Sequence, residues 1–194
     1  MDSDKIRASI KTLAKKISSV YPSVFELIGV LDASFMFVAD LCRELHRRKM
    51  FPRVHFVSAK SYRGTRPGRK VKLCYRKMGL KNRYVLIVDT IVDTGNTVKA
   101  ILKKVCEEKP CFIGVCSLIS RVSEIQGCRL FYAFEDKSDA FYIGYGLDYL
   151  GYFRELPKLI SLPRTIKMSH LDFLKQRKEV EKDAYNENHE SLRT

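Results

Sequence analysis

The chain has 194 residues, of which 45% are hydrophobic, and 36 Lys/Arg against 22 Asp/Glu give it a formal net charge of +14. That is enough apolar material to pack a core in one domain, or in a domain with a small appendage, and it excludes a wholly disordered chain. No apolar run reaches membrane-spanning length, and Asp2 and Asp4 stand where a secretory leader would be apolar, so a cytoplasmic protein without a membrane partner is expected.

In chain order, Ile6, Ile10, Leu13, Ala14 and Ile17 recur at helical spacing, which predicts an amphipathic helix ending before Tyr21 and Pro22. Val24–Leu31 reads as a buried strand, with Asp32–Ser34 as the turn after it. Phe35–Lys49 returns to helical periodicity through Phe35, Val38, Leu41, Cys42 and Leu45. Val54–Ala59 is a second strand. Arg63–Lys72 holds two glycines, a proline and five Lys/Arg, which predicts a mobile loop.

Tyr84–Val88 is almost wholly apolar, as in the middle of a parallel sheet. Thr97–Lys109 reads as a helix with Val98, Ile101, Leu102 and Val105 inward, and Phe112–Ile119 as the next strand. Phe131–Phe134, Phe141–Tyr145 and Lys158–Leu162 are shorter strand candidates. Strands alternating with helices predict an α/β, doubly wound, mostly parallel sheet, with ligands outside the carboxyl ends of the strands. The expected domain covers residues 1–165, and 166–194 reads as a polar, partly helical or disordered appendage.

Six cysteines (Cys42, Cys74, Cys106, Cys111, Cys116 and Cys128) form no C-x-x-C pair, so reduced thiols are expected rather than a disulfide framework. The charge is unevenly placed. Arg43–Arg83 carries fifteen Lys/Arg against the single acid Glu44, so the rest of the chain sums to zero. Such a segment is either a solvated surface or the neighbour of an anionic partner, nucleic acid included.

The strongest signal is the run Val85-Leu-Ile-Val-Asp-Thr-Ile-Val-Asp-Thr-Gly-Asn-Thr97. A buried strand passes through Asp89, Thr90, Asp93, Thr94, Gly95, Asn96 and Thr97 into a helix. Gly95 permits a tight bend, Thr94 and Thr97 offer hydroxyl donors, and the amides from Asp93 to Thr97 converge at a helix N-terminus that favours an anion. Asp89 and Asp93 at the rim suit a sugar diol, a metal or a proton transfer. An ordinary capped helix would carry only part of this pattern.

This run resembles the phosphoribosyl pyrophosphate (PRPP) signature of type I phosphoribosyltransferases, and its Asp-Thr-Gly-x-Thr end resembles the 6-oxopurine (hypoxanthine-guanine) branch. The resemblance covers roughly residues 24–163. It implies the type I fold with a short hood, and conversion of a 6-oxopurine (guanine or hypoxanthine, and xanthine within range) and PRPP to a nucleoside 5'-monophosphate (GMP or IMP) and pyrophosphate. It also implies Mg2+ as cofactor and a homodimer or homotetramer.

The resemblance further assigns Asp93 as general base at the purine N7, Thr94–Thr97 to the 5'-phosphate, and Asp89 to the ribose hydroxyls. A second block, Phe141-Tyr-Ile-Gly-Tyr-Gly-Leu-Asp148, is similar to the family's purine-binding strand. It implies that Phe141 stacks on the base, that the backbone at Tyr142 reads its edge, and that Asp148, with Asp89, holds the metal. Arg154 matches an arginine that contacts pyrophosphate, and Ser61 and Tyr62 match the start of a closing lid.

Three positions depart from the pattern. The first-strand loop, usually Leu-Lys-Gly with a cis peptide, is Leu31-Asp32-Ala33. The acidic pair at the ribose is Asp89-Thr90 where two carboxylates are usual. The lysine that donates to the purine O6 is Arg121, which keeps the donor. Asp32 and Thr90 imply a weakened hold on PRPP. They leave open an alternative, a catalytically weak or inactive homologue that binds purine nucleotide, or RNA, in a regulatory role.

Overall fold

The computed structural model describes residues 1–62, 70–138 and 140–162, with the side chains of 60–62 and 70 excepted. The chain divides into a compact unit, Met1–Ser161, and a second, Leu162–Thr194, of which only Leu162 is described. The expected appendage 166–194 therefore lies outside the described residues, as does most of the expected loop Arg63–Lys72.

Helix α1 (Ser3–Ser18) starts where Asp2 accepts a hydrogen bond from the Lys5 amide at 2.7 Å, a cap worth about 1 kcal/mol. All five residues of its expected apolar face are buried. β1 (Val24–Leu31), α2 (Phe35–Arg47), β2 (Phe51–Tyr62), β3 (Lys70–Cys74), β4 (Tyr84–Val92), α3 (Asn96–Glu107), β5 (Phe112–Ser120), β6 (Arg129–Glu135), β7 (Phe141–Ile143) and β8 (Ile160–Leu162) follow. The main sheet runs in the order β3-β2-β1-β4-β5-β6, parallel throughout except for β3, which is antiparallel to β2; β7 and β8 form a separate pair.

The central strands are apolar on both faces because both faces are covered. Phe25 and Leu27 of β1 and Leu86 and Val88 of β4 join the core that α1 and α2 close. Ile28, Val30, Val85 and Ile87, alternating with them, join the core that Val98, Ile101 and Val105 of α3 close. The order of strands reverses between β1 and β4, so the loops leaving these two strands flank the crevice where ligands bind in such sheets.

Several boundaries differ from expectation. β4 is longer because its parallel pairing with β5 continues past the apolar stretch (Ile91↔Ile119, Val92↔Ser120), and β2 because it pairs parallel with β1 from Phe51 and antiparallel with β3 as far as Tyr62. Lys70–Lys72 belong to edge strand β3, where a loop was expected. α2 ends at Arg47, and Lys49 adopts a left-handed φ of 58°. β7 stops at Ile143 because Gly144, Tyr145 and Gly146 all turn with positive φ. Among the described residues, no helix is long and apolar enough to cross a membrane.

Candidate active site

The sharp turn from β4 into α3 is made by Gly95, the N-cap, at φ 75° and ψ 0°. No side chain caps the helix and no acid sits in its first turn, so the leading amides and the positive end of the helix dipole are left for a ligand. They open into a cavity of about 220 Å³ lined by Val71, Asp89, Ile91 and the run Val92–Val98. Thr94 and Asn96 are exposed and Thr97 is half-buried, which brings the expected phosphate ligands into one cradle.

Successive side chains of a strand point to opposite faces, and this separates Asp89 from Thr90. Asp89 lines the cavity although it is only 7% exposed. Burial pushes its carboxyl up to about 7, against the opposing hydrogen bonds of the Thr90 and Ile91 amides. Thr90 is fully buried, and its hydroxyl donates to the carbonyl of Ala33 at 2.8 Å. The expectation that Thr90 faces ribose or PRPP is therefore corrected: it supports the first-strand loop from beneath.

That loop has the cis peptide the resemblance implied, at Leu31–Asp32. Asp32, whose charge implied a weakened hold on PRPP, has Arg154 Nη2 3.9 Å from its Oδ2. Arg154 also reaches Asp148 Oδ1 at 2.8 Å and donates to the Gly146 carbonyl at 2.6 Å. The second oxygen of Asp148 accepts from the Gly151 amide at 2.7 Å. Gly146, at φ 93°, packs so tightly on the loop that a Cβ there would overlap the Ala33 carbonyl oxygen. Loop 31–33 and the Gly144–Asp148 turn thus form one wall, with Arg154 as its clasp.

The opposite wall is built on Arg121, whose amide donates to the Val92 carbonyl at 2.8 Å as β5 ends beside β4. Its Nη1 lies 3.0 Å from Asp93 Oδ1, while Nε and Nη2 reach Asp136 Oδ2 at 3.2 and 3.1 Å. Nη2 also donates to the Ala140 carbonyl, and the guanidinium stands 5.9 Å from the ring centroid of Tyr142. Burial works against the charge on Arg121, but the hydrogen bonds and charges of Asp93 and Asp136 outweigh it and hold its pKa above the usual arginine value. Asp136 was not singled out from the sequence. Phe141 remains 38% exposed and meets Tyr149 edge-to-face at 6.0 Å, which leaves a ring face for a stacked base.

Ser61 and Tyr62 have their backbone at the end of β2, and their side chains lie outside the described residues. Among the described residues there is no group of three or more potential metal ligands. Asp89 lines the cradle cavity, whereas Asp148, engaged by Arg154 and Gly151, does not.

A family model described as the phosphoribosyl transferase domain matches residues 2–149. The hypoxanthine phosphoribosyltransferase of Escherichia coli (strain K12) is 34% identical over 160 residues, covering 79% of this chain and 88% of the relative. The hypoxanthine-guanine phosphoribosyltransferase of Aquifex aeolicus (strain VF5) is 33% identical over 162 residues, covering 80% of this chain and 89% of the relative. Among solved structures, hypoxanthine phosphoribosyltransferase from Trypanosoma cruzi in complex with the product IMP matches at a TM-score of 0.71 and 31% identity, covering 85% of this chain and 93% of that one.

Proposed function

The chain belongs to the phosphoribosyltransferase family, in its hypoxanthine-guanine branch, and we propose that Asp93 and Arg121 perform the branch's purine-salvage reaction in the crevice between β1 and β4. PRPP and a 6-oxopurine give the nucleoside 5'-monophosphate, GMP or IMP, and pyrophosphate. The purine N9 bonds to the anomeric carbon as the bond from that carbon to the pyrophosphate oxygen breaks, and the N7 proton leaves the base.

The observation that carries the reading is the pairing of Asp93, at the rim of the phosphate cradle, with Arg121 at 3.0 Å. One carboxylate and one guanidinium side by side match the adjacent N7–H donor and O6 acceptor on one edge of a 6-oxopurine. The Asp93 carboxylate accepts the N7 proton and stabilises the positive charge that develops on the sugar, while Arg121 donates to O6. Asp136 and the Ala140 carbonyl retain Arg121 when it turns from Asp93 to the base. Phe141 stacks on the purine, and the backbone at Tyr142 reads its edge. The α3 amides with Thr94–Thr97 hold the 5'-phosphate, and Arg154 faces the pyrophosphate.

The donor set fits a magnesium ion that arrives with PRPP. Mg2+ takes oxygen ligands, keeps several waters, and binds through one or two carboxylates plus phosphate oxygens rather than in a closed protein cage. Asp89, a buried carboxyl at the cavity wall with only amide partners raising its acidity, suits the ribose diol and its ion. Asp148 suits the pyrophosphate side. When bound, the ion neutralises the leaving pyrophosphate. Assembly as a homodimer or homotetramer and a cytoplasmic location belong to the same reading.

Incubating the protein with PRPP, Mg2+ and radiolabelled hypoxanthine tests it. Labelled IMP with an equal amount of pyrophosphate supports the reading. Tight IMP binding without turnover supports the regulatory alternative.

A further inference from the structure

The transferase reading does not use the other end of the sheet. Because β1, β2, β4 and β5 are parallel, their N-terminal ends gather at one pole, roughly 25 Å of strand away from the crevice. Hydrogen bonds fix what assembles there. The Phe51 amide donates to Ser23, the Asn82 amide to Lys109, and the Cys111 amide to Arg83, at 2.7, 3.0 and 3.0 Å. Arg53 reaches the Met78 carbonyl at 3.3 Å, bringing the 76–83 segment against the start of β2.

Six cations are exposed or nearly so on this pole and its rim: Lys49, Arg76, Lys77, Lys81, Arg83 and Lys109. None of them pairs with a carboxylate of the described residues. The acids nearby are already engaged. Glu26 is buried under Arg53 and His55, Glu107 pairs with Lys104, and Glu108 accepts from Tyr75 and from the amides of Met78, Gly79 and Leu80. Glu108, whose partners are all uncharged, is the one counter-charge left to the six cations, and the remaining excess of like charge opposes folding through self-repulsion, so their clustering points to an anionic partner.

Two aromatic rings stand among these cations. Phe51, which follows Lys49 and Met50, is 52% exposed, and Tyr84, next to Arg83, is 37% exposed. Phe51 pairs with Val24 at the start of β1, and Tyr84 begins β4 on the other side of that strand, so their backbones are two strand spacings, about 10 Å, apart. By the alternation of each strand Phe51 shares the face of Val57 and Tyr84 the face of Leu86, so the two rings leave opposite faces of the sheet end. His46 backs Phe51 edge-on at 5.7 Å, and Phe112 backs Tyr84 at 5.5 Å, which holds the rings without covering them. A merely solubilising surface has no use for exposed rings between unpaired cations. An anionic lipid surface would match the cations, but rings leaving opposite faces of the sheet end do not enter one flat surface together, whereas a flexible single strand passing over that end reaches both.

We propose that this pole binds single-stranded nucleic acid, with Phe51 and Tyr84 as stacking platforms and the six cations as phosphate contacts. Aromatic stacking is tolerant of sequence and the phosphate contacts are blind to it, so the site takes a single strand of any sequence. It is separate from the catalytic crevice and independent of the transferase reading.

The test titrates a fluorescent 20-nucleotide oligouridine with the full-length protein, with and without saturating IMP, at 50 and 200 mM KCl. Binding is expected to survive IMP. If four phosphates are engaged, it should weaken about fifty-fold between the two salt concentrations. Phe51→Ala with Tyr84→Ala should weaken it at least tenfold at both salts without changing the salt slope. Lys81→Gln, Arg83→Gln and Lys109→Gln together should flatten the slope, and they touch only exposed side chains, so this arm stands if the ring variant fails to fold. The proposal is overturned by binding that IMP abolishes, by absence of binding at 50 mM KCl, or by phosphatidylserine vesicles binding as tightly with no effect of removing the rings. Self-association of the protein that disappears in the ring variant would equally overturn it, by making the pole a contact between copies.

Discussion

Arg121 Nη1 stands 3.0 Å from Asp93 Oδ1, so in the absence of a purine the group that is to accept a proton is bound to the group that is to recognise O6. A base arriving in the crevice must separate them. Asp136 makes the separation inexpensive, because it already holds the other edge of the guanidinium at 3.1–3.2 Å.

Asp93→Asn keeps the size of the side chain and removes the proton acceptor. The turnover number should fall by on the order of a hundredfold or more. IMP affinity should change little, since the phosphate cradle does not depend on that carboxylate. Steady-state kinetics beside IMP titration checks both halves, and near-normal turnover would exclude Asp93 as the base.

Asp136→Asn should act on binding of the purine rather than on the chemical step. With its second charged partner gone, Arg121 leans on Asp93, and the base must break a stronger pair. The Michaelis constant for hypoxanthine is expected to rise by roughly tenfold, about 1.4 kcal/mol, with the turnover number within a few-fold of wild type. Asp136→Glu should recover part of the loss, which a general structural defect would not.

Restoring the family's second acid as Thr90→Asp should fail. The position is fully buried and faces the Ala33 carbonyl at 2.8 Å, so an aspartate there would present acceptor to acceptor. A loss of about 1–3 kcal/mol in stability is expected by urea unfolding, with a raised Michaelis constant for PRPP because the 31–33 loop loses its support. Thr90→Ser, which keeps the hydroxyl, should be close to neutral.

Asp89 predicts a pH dependence. Its carboxyl titrates at about 7 in the fold against an ordinary 3.8, so the metal-free native state binds a proton that the unfolded chain has released. Stability should fall as pH rises from about 4 to about 7 and level off above. Asp89→Asn removes this slope and should leave the metal-free protein more stable than wild type at pH 8, by on the order of 2–4 kcal/mol, and equal to it near pH 4. The same variant should bind PRPP with Mg2+ more weakly. Unfolding midpoints at the two pH values decide the first point.

These sites were unequally legible in the sequence. The phosphate cradle could be read because it is local, a buried strand, a glycine that must turn and a helix start within thirteen residues. The pairing of Arg121 with Asp136 could not, since it depends on the parallel register of β5 and β6, where Ser120 faces Glu135 and the Asp136 amide donates to Ser120 at 2.9 Å. Thr90 was readable in principle, because the strand pleat that sends Asp89 into the cavity sends its neighbour away from it. The acidic pair usual in the family pattern bears on the chemistry of position 90 and says nothing of its face. Strand β3 was hidden differently. Its alternation of Lys and apolar residues is present in Lys70–Cys74, but it follows a run of Gly, Pro and Arg that dominates any local window.

The initial rate of pyrophosphate release from PRPP and Mg2+, measured in parallel with guanine, hypoxanthine, xanthine and adenine, tests the central claim most directly. Arg121 offers only hydrogen-bond donors, so it accepts a purine with a carbonyl at position 6 and opposes one with an amino group there. Release with guanine and hypoxanthine, and none above background with adenine, is the predicted result. Release with adenine at a comparable rate, or with none of the four bases, would contradict it.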